Sequence, residues 1–252
     1  MPEETLNRDD GPPLAFAHTS GRPPTVVFLT GFRSDMSGAK ALHLERHCVK
    51  AGRAFLRFDY RGHGRSGGRF EEACIGDWCR DVLAMLDRVV AGRVVLVGSS
   101  MGGWLMLLAA LARPERIAGL VGIAAAPDFT LDLIEKRLTP ADRAALERDG
   151  VLLPPSAYGE PIPITRRLLE EGRAHLLLDR PIALACPIHL LHGQLDPDVP
   201  WQTALRLAAA IEGGGVTVEL VKDGDHRLSR DEDLRRIAAA MDRVLEQAAD
   251  DG

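Results

Sequence analysis

The 252-residue chain has no uninterrupted apolar run approaching the roughly 18 residues of a membrane-spanning helix, so no transmembrane segment is expected. It has no basic excess either. With 31 Lys and Arg against 36 Asp and Glu, the net charge is -5, and the electrostatic footprint of a nucleic-acid binder is missing. Cys48, Cys74, Cys79 and Cys186 form no C-x-x-C pair and have no histidine at zinc spacing, so free thiols are expected rather than a structural metal. The opening MPEETLNRDDGPP contains no apolar signal core and is too acidic for a transit peptide, which makes the cytoplasm the expected location. Repeats and low-complexity tracts are also absent. What remains is ordinary globular usage, 46% apolar and 27% charged, and residues 1–252 are expected to form one α/β domain with one insertion.

Short apolar runs alternate with longer helical patterns, the order that builds a mostly parallel sheet with helices on both faces. The expected strands are Thr25–Thr30, Ala54–Asp59, Val94–Val97, Ile117–Ile123, Ile188–Leu191 and Val216–Val221, with Leu14–His18 as a further antiparallel edge strand. Helices are expected over Ala39–Ala51, over Trp78–Val90 after Asp77, and over Met101–Ala112 before Pro114. For the last helix, Ser229 and Glu232 have capping-box spacing, and Leu234, Ile237, Met241 and Leu245 recur at helical intervals. From Phe129 to about Pro181 no strand-like run occurs. There Thr139-Pro140-Ala141-Asp142 reads as a helix start, and Pro154, Pro155, Pro161 and Pro163 punctuate a loop. A small helical cap, residues 129–181, is therefore expected between two core strands.

Gly98-Ser99-Ser100-Met101-Gly102 lies between an expected strand and an expected helix, the context a nucleophile elbow needs. In such an elbow the serine occupies a strained turn, and the flanking glycines relieve crowding against strand and helix. Asp196, in His192-Gly193-Gln194-Leu195-Asp196, and His226, in Gly224-Asp225-His226, each follow an apolar strand. Ser, Asp and His then stand in the chain order of this fold's triads. A serine hydroxyl needs a base to take its proton during attack. An imidazole titrates in the right range, and a carboxylate can fix its tautomer. Ser100 is thus the expected nucleophile, His226 the general base and Asp196 the orienting acid, all beyond carboxyl strand ends, where open α/β sheets place their sites. The expected oxyanion donors are the backbone N–H groups of Met101 and of Phe32, which follows the strand ending at Thr30. No metal or organic cofactor is expected, because the chain supplies every group this chemistry needs.

Several neighbours have plainer readings. Asp198 and Asp225 suit turn or capping carboxylates, and His192 suits a turn. Asp59-Tyr60-Arg61-Gly62-His63-Gly64-Arg65-Ser66 is Gly-rich but lacks a phosphate-loop pattern, so His63 is read as part of a structural turn. Trp104, Leu105, Leu107 and Leu108 read as core.

The run from Gly98 to Leu107 resembles the palmitoyl-protein thioesterase and acyl-glucuronide esterase branch of the α/β-hydrolase-domain family. So do Cys186-Pro187 through Leu190-Leu191-His192-Gly193 and Val199-Pro200-Trp201. The likeness extends to Gly31–Ala41, to Arg57-Phe58-Asp59-Tyr60 and to Asp225-His226-Arg227, from about Thr25 to the last helix. It implies an α/β-hydrolase fold, the same three roles for Ser100, Asp196 and His226, and cleavage of S-palmitoyl thioesters on protein cysteines or of acyl-glucuronide esters. Residues 129–181 depart from the family pattern, and an Ala-, Arg- and Leu-rich chain suits a bacterial, cytoplasmic relative. The expected substrate is a small-molecule ester or an acylated protein, with Leu133, Ile134, Leu138, Leu152 and Leu153 as candidates for an acyl pocket or for glue between cap and core. A small-ester carboxylesterase, lactonase or peptidase would share the triad, and a binding protein could keep the fold without activity.

Overall fold

Strands that are apolar at nearly every position need cover on both faces, which a parallel sheet flanked by helices supplies. The computed structural model describes residues 3–154 and 161–250. Its main sheet has eight strands: β1 (Glu4–Leu6), β2 (Leu14–Thr19), β3 (Arg22–Leu29), β4 (Arg53–Phe58), β5 (Val94–Ser99), β6 (Ile117–Ile123), β7 (Ile188–Gly193) and β8 (Val216–Val221). Their order is β1-β2-β4-β3-β5-β6-β7-β8. From β4 to β8 every neighbouring pair is parallel, while β2 runs antiparallel to both β4 and β1. The chain has the α/β-hydrolase fold.

Alternation along each strand feeds two cores. Val27 and Leu29 of β3 pack with Trp78 of α2 (Ile75–Arg88) and Trp104 of α3 (Met101–Ala112). Val26 and Phe28 point the other way, into the cluster holding Leu44 of α1 (Ala39–Lys50) and Ile237 and Met241 of α7 (Asp231–Asp250), the helix that follows α6 (Gln202–Ala210).

Two expected helix starts are corrected. Helix α2 begins at Ile75, and Asp77 is its third residue, accepting the Cys74 N–H at 3.2 Å. The carboxylate caps from inside the first turn rather than from before it. Helix α7 begins at Asp231, and Asp233, not Glu232, reaches back, to the Arg230 N–H at 3.2 Å. Asp233 is buried and is also clamped by the Arg230 guanidinium. That ion pair moves the cap one residue along, and Ser229 is left to line a cleft.

Between β6 and β7 the chain leaves the sheet. This stretch holds a π-helical turn (Thr130–Ile134), α4 (Pro140–Asp149), α5 (Arg166–Gly172) and a two-residue antiparallel pair, Val151–Leu152 with Ile164–Thr165. The pair corrects the expectation of a strand-free segment; two residues a side are too few to leave an alternating pattern. Helix α4 starts as expected, with Thr139 Oγ1 accepting the Asp142 N–H at 3.1 Å and Gly150 closing it at φ 73°. Pro155, one of the expected loop prolines, lies outside the described residues. Polar ties join this stretch to the rest. Arg167 reaches Asp77 at 2.9 Å, Glu171 accepts the Gly76 N–H at 3.1 Å, and Asp128 accepts the N–H groups of Leu177 and Leu178 at 2.8 Å each.

Candidate active site

Strand β5 ends at Ser99 and α3 begins at Met101, so a single residue turns the chain. Ser100 does so at φ 54°, ψ -118°, a conformation that costs an L-residue about 1–3 kcal/mol and must be held by its surroundings. Its N–H donates to Ile123 at 2.9 Å, and its carbonyl accepts from Gly103 and Ala126 at 2.9 and 3.1 Å. The turn is too tight for side chains on either flank. A Cβ on Gly98 would lie 2.4 Å from the Gly102 oxygen, and one on Gly102 would lie 2.2 Å from the Leu29 oxygen.

Asp196 follows β7 and His226 follows β8, so both reach the carboxyl edge on which Ser100 stands. His226 Nε2 is 3.1 Å from Ser100 Oγ, and its Nδ1 is 2.7 Å from Asp196 Oδ2. The three residues picked from sequence therefore meet. Asp196 Oδ1 accepts the N–H groups of Asp198 and Val199, each at 2.8 Å, which aims Oδ2 at the imidazole. The Asp196 side chain is fully buried behind His226, whose own side chain is 18% exposed.

His192 enters the site, contrary to its reading as a turn histidine. Its Nε2 lies 3.1 Å from Asp196 Oδ2 and 3.0 Å from the Val199 carbonyl, so this nitrogen carries the proton and donates. Burial pushes the Asp196 carboxyl up, but the hydrogen bonds from His192 and then His226 outweigh it and hold the group well below the usual carboxylate range. The signal was its place on β7 four residues before the acid. Asp225 behaves as a turn carboxylate, accepting the Leu228 N–H at 2.9 Å. Ligand-type atoms of Asp196, Asp198 and His226 lie within 4.8 Å of one another, the one such metal-compatible group among the described residues. Two of its members already spend their facing atoms on each other.

A cleft of about 880 Å³ opens over Ser100 and His226. Phe32 and Met101, the expected oxyanion donors, line it. Met101 is the first residue of α3, so its N–H has no acceptor within the helix. One wall is apolar, with Phe129, Leu133, Ile134, Pro154, Ile162 and Ile164; elsewhere the lining includes Lys40, whose ammonium burial brings down to about 8. Of the five leucines and isoleucines read as acyl pocket or as glue between cap and core, Leu133 and Ile134 line the cleft. The others do not: Leu138 and Leu152 pack on the core and Leu153 is 64% exposed. The sequence reading missed Phe129, Ile162 and Ile164. The Pro161-Ile162-Pro163-Ile164 alternation was the available signal for the last two.

A family model described as serine aminopeptidase, S33 (Hydrolase_4) matches residues 23–168. The human protein named palmitoyl-protein thioesterase ABHD10, mitochondrial, is 40% identical over 244 residues, 96% of this chain and 79% of that protein. The structure of alpha/beta hydrolase domain-containing protein 10 from mouse superposes with a TM-score of 0.91 at 40% identity, covering 98% of this chain and 99% of that one. A solved structure from Agrobacterium vitis S4 gives 0.92 at 40% identity, covering 97% and 99%. Among the described residues no helix is long and apolar enough to cross a membrane.

Proposed function

We infer that this chain, which belongs to the Hydrolase_4 family of α/β-hydrolases, is a serine hydrolase that cleaves esters or thioesters through an acyl-Ser100 intermediate. The observation that carries the reading is the unbroken relay from Ser100 Oγ to His226 Nε2 at 3.1 Å and from His226 Nδ1 to Asp196 at 2.7 Å. As Ser100 Oγ attacks the acyl carbonyl, its proton passes to His226, and Asp196 stabilises the imidazolium that forms. The carbonyl oxygen gains negative charge and is met by the N–H groups of Phe32 and Met101; losing one such donor costs about 3 kcal/mol. Collapse of the tetrahedral species expels the alcohol or thiol, protonated by His226. Water then enters and attacks the acyl carbon as it gives its proton to the same nitrogen, and collapse releases the acid while His226 returns that proton to Ser100 Oγ.

Residues 129–181 act as a cap on a single α/β domain, supplying most of the apolar wall. A wall of Phe129, Leu133, Ile134, Ile162 and Ile164 suits a medium or long acyl chain, as does the relatives' name, palmitoyl-protein thioesterase. The substrate is thus an acylated protein or a small lipid-like ester. The four free thiols suit a reducing compartment, and the cytoplasm is the location proposed. Assaying p-nitrophenyl esters and S-acylated peptides of rising chain length tests the substrate. Rising kcat/KM from acetyl to long acyl is expected, and a flat or falling series would remove the lipid-chain reading and favour a small-ester enzyme.

A further inference from the structure

The Gly-rich turn after β4 was read as structural, yet its histidine touches the loop that carries Phe32. His63 is 4% exposed. Its Nδ1 faces the Arg61 carbonyl at 3.2 Å, and its Nε2 receives the Arg33 N–H at 3.3 Å. A carbonyl only accepts and a backbone N–H only donates, so these two partners admit one form of the ring: neutral, with the proton on Nδ1. Burial, the main influence, pushes the imidazole down to about 4 and keeps that form across the neutral range.

The accepted N–H belongs to the turn's central peptide. Ser34 N–H donates to the Gly31 carbonyl at 3.1 Å, and Arg33 sits at φ 59°, as the third residue of a type II turn does, a place glycine usually fills. Rotating the Phe32–Arg33 peptide would relieve that φ and convert the turn towards type I, changing ψ of Phe32 and reversing the carbonyl of the very residue whose N–H is the expected oxyanion donor. His63 opposes the rotation through Nε2. Its ring also packs edge-on against Phe70 and Trp78, with centroids 5.2 and 5.3 Å away, and the same two rings hold Phe32 at 5.0 and 5.8 Å.

We propose that His63 is a positioning residue for the oxyanion loop, accepting the Arg33 amide and so holding the Gly31–Ser34 turn in the state that aims the Phe32 N–H at the acyl oxygen. The proposal rests on the serine-hydrolase reading of the same site. It predicts a transition-state effect, because the loop serves an oxygen that becomes charged only during reaction. The Gln side chain in His63→Gln can still present an acceptor to Arg33, whereas His63→Ala cannot.

The test compares wild type, His63→Ala and His63→Gln in kcat, KM and the inhibition constant of a trifluoromethyl ketone, whose serine adduct carries the oxyanion. Active sites are first counted by fluorophosphonate titration. His63→Ala is expected to lose about ten- to hundredfold in kcat per active site, with KM little changed and the inhibitor weakened by the same factor, and His63→Gln to recover most of both. A loss confined to the number of titratable sites, or an inhibitor bound as tightly as by wild type, would overturn the proposal. Nitrogen-15 NMR of wild-type imidazoles gives a reading that needs no variant: the Nδ1-protonated ring supports the proposal and the Nε2-protonated ring refutes it. If wild type takes no fluorophosphonate at Ser100, the serine-hydrolase reading fails and this inference with it; if it does, a negative result counts against His63 alone.

Discussion

The carboxyl edge of the sheet and the stretch between β6 and β7 solve the same problem, holding side chains over one cleft, by opposite means. At the edge, the nucleophile and the acid are fixed by backbone. Ser100 is pinned by three main-chain hydrogen bonds, and the Asp196 carboxylate accepts two backbone N–H groups besides its histidines. The intervening stretch is held by side-chain ties such as Arg173 to Glu135 at 2.6 Å and Arg167 to Asp77 at 2.9 Å, and it contributes apolar surface rather than aimed polar atoms. Chemistry needs sub-ångström placement and so sits where the backbone is committed, whereas a pocket wall tolerates repacking. Changes at the edge should therefore abolish turnover with little effect on folding, and changes in the other stretch should alter selectivity or stability.

Ser100→Ala makes the sharpest test of that division. We expect kcat to fall by about four orders of magnitude or more. The thermal midpoint, followed by circular dichroism, should stay level or rise, because replacing a strained catalytic residue seldom costs stability. Asp196→Asn comes next, with kcat down on the order of ten-thousandfold and KM nearly constant in steady-state assays. A comparable loss from any charge-neutralising change in residues 129–181 would break the comparison.

A third change moves to the apolar wall. Leu133→Ala with Ile134→Ala should lower kcat/KM for long acyl esters roughly thirtyfold or more while sparing acetyl esters, since apolar contacts discriminate by about 1–3 kcal/mol per group. The smallest effect concerns Glu171. Burial raises its carboxyl, but the hydrogen bonds from His175 and from Gly76 N–H prevail and hold it at about 2 against an ordinary 4.5. A group depressed on folding contributes stability above its unfolded value and loses it as pH falls through the folded one. Wild type should thus lose stability between about pH 4.5 and 2 more steeply than Glu171→Gln, as measured by urea midpoints at stepped pH. Parallel curves would show that this tie does not couple the two regions.

The same contrast explains what could be read in the sequence. Seven of the eight sheet strands, the elbow and the order Ser100, Asp196, His226 were legible because a doubly covered strand and a one-residue turn each impose a pattern on neighbouring residues, whereas the three-residue edge strand β1 is too short to do so. Helices α2 and α7 were displaced at their starts because Asp77 and Asp233 cap from within the first turn, and the partner that decides this, such as the Arg230 guanidinium, is visible only in space. His192 and His63 were read as turn residues since nothing local says that a ring nitrogen reaches Asp196 or Arg33. The wall was the least legible. Phe129, Ile162 and Ile164 converge through a π-helical turn and a two-residue strand pair, both too short to print a period.

The relay through Ser100 is tested most directly by exposing folded wild-type protein to a fluorophosphonate and mapping the adduct by peptide mass spectrometry. Stoichiometric modification on Ser100 is expected, lost in Ser100→Ala and strongly slowed in His226→Ala. An unmodified Ser100 in protein that still hydrolyses esters, or an adduct on another residue, would contradict it.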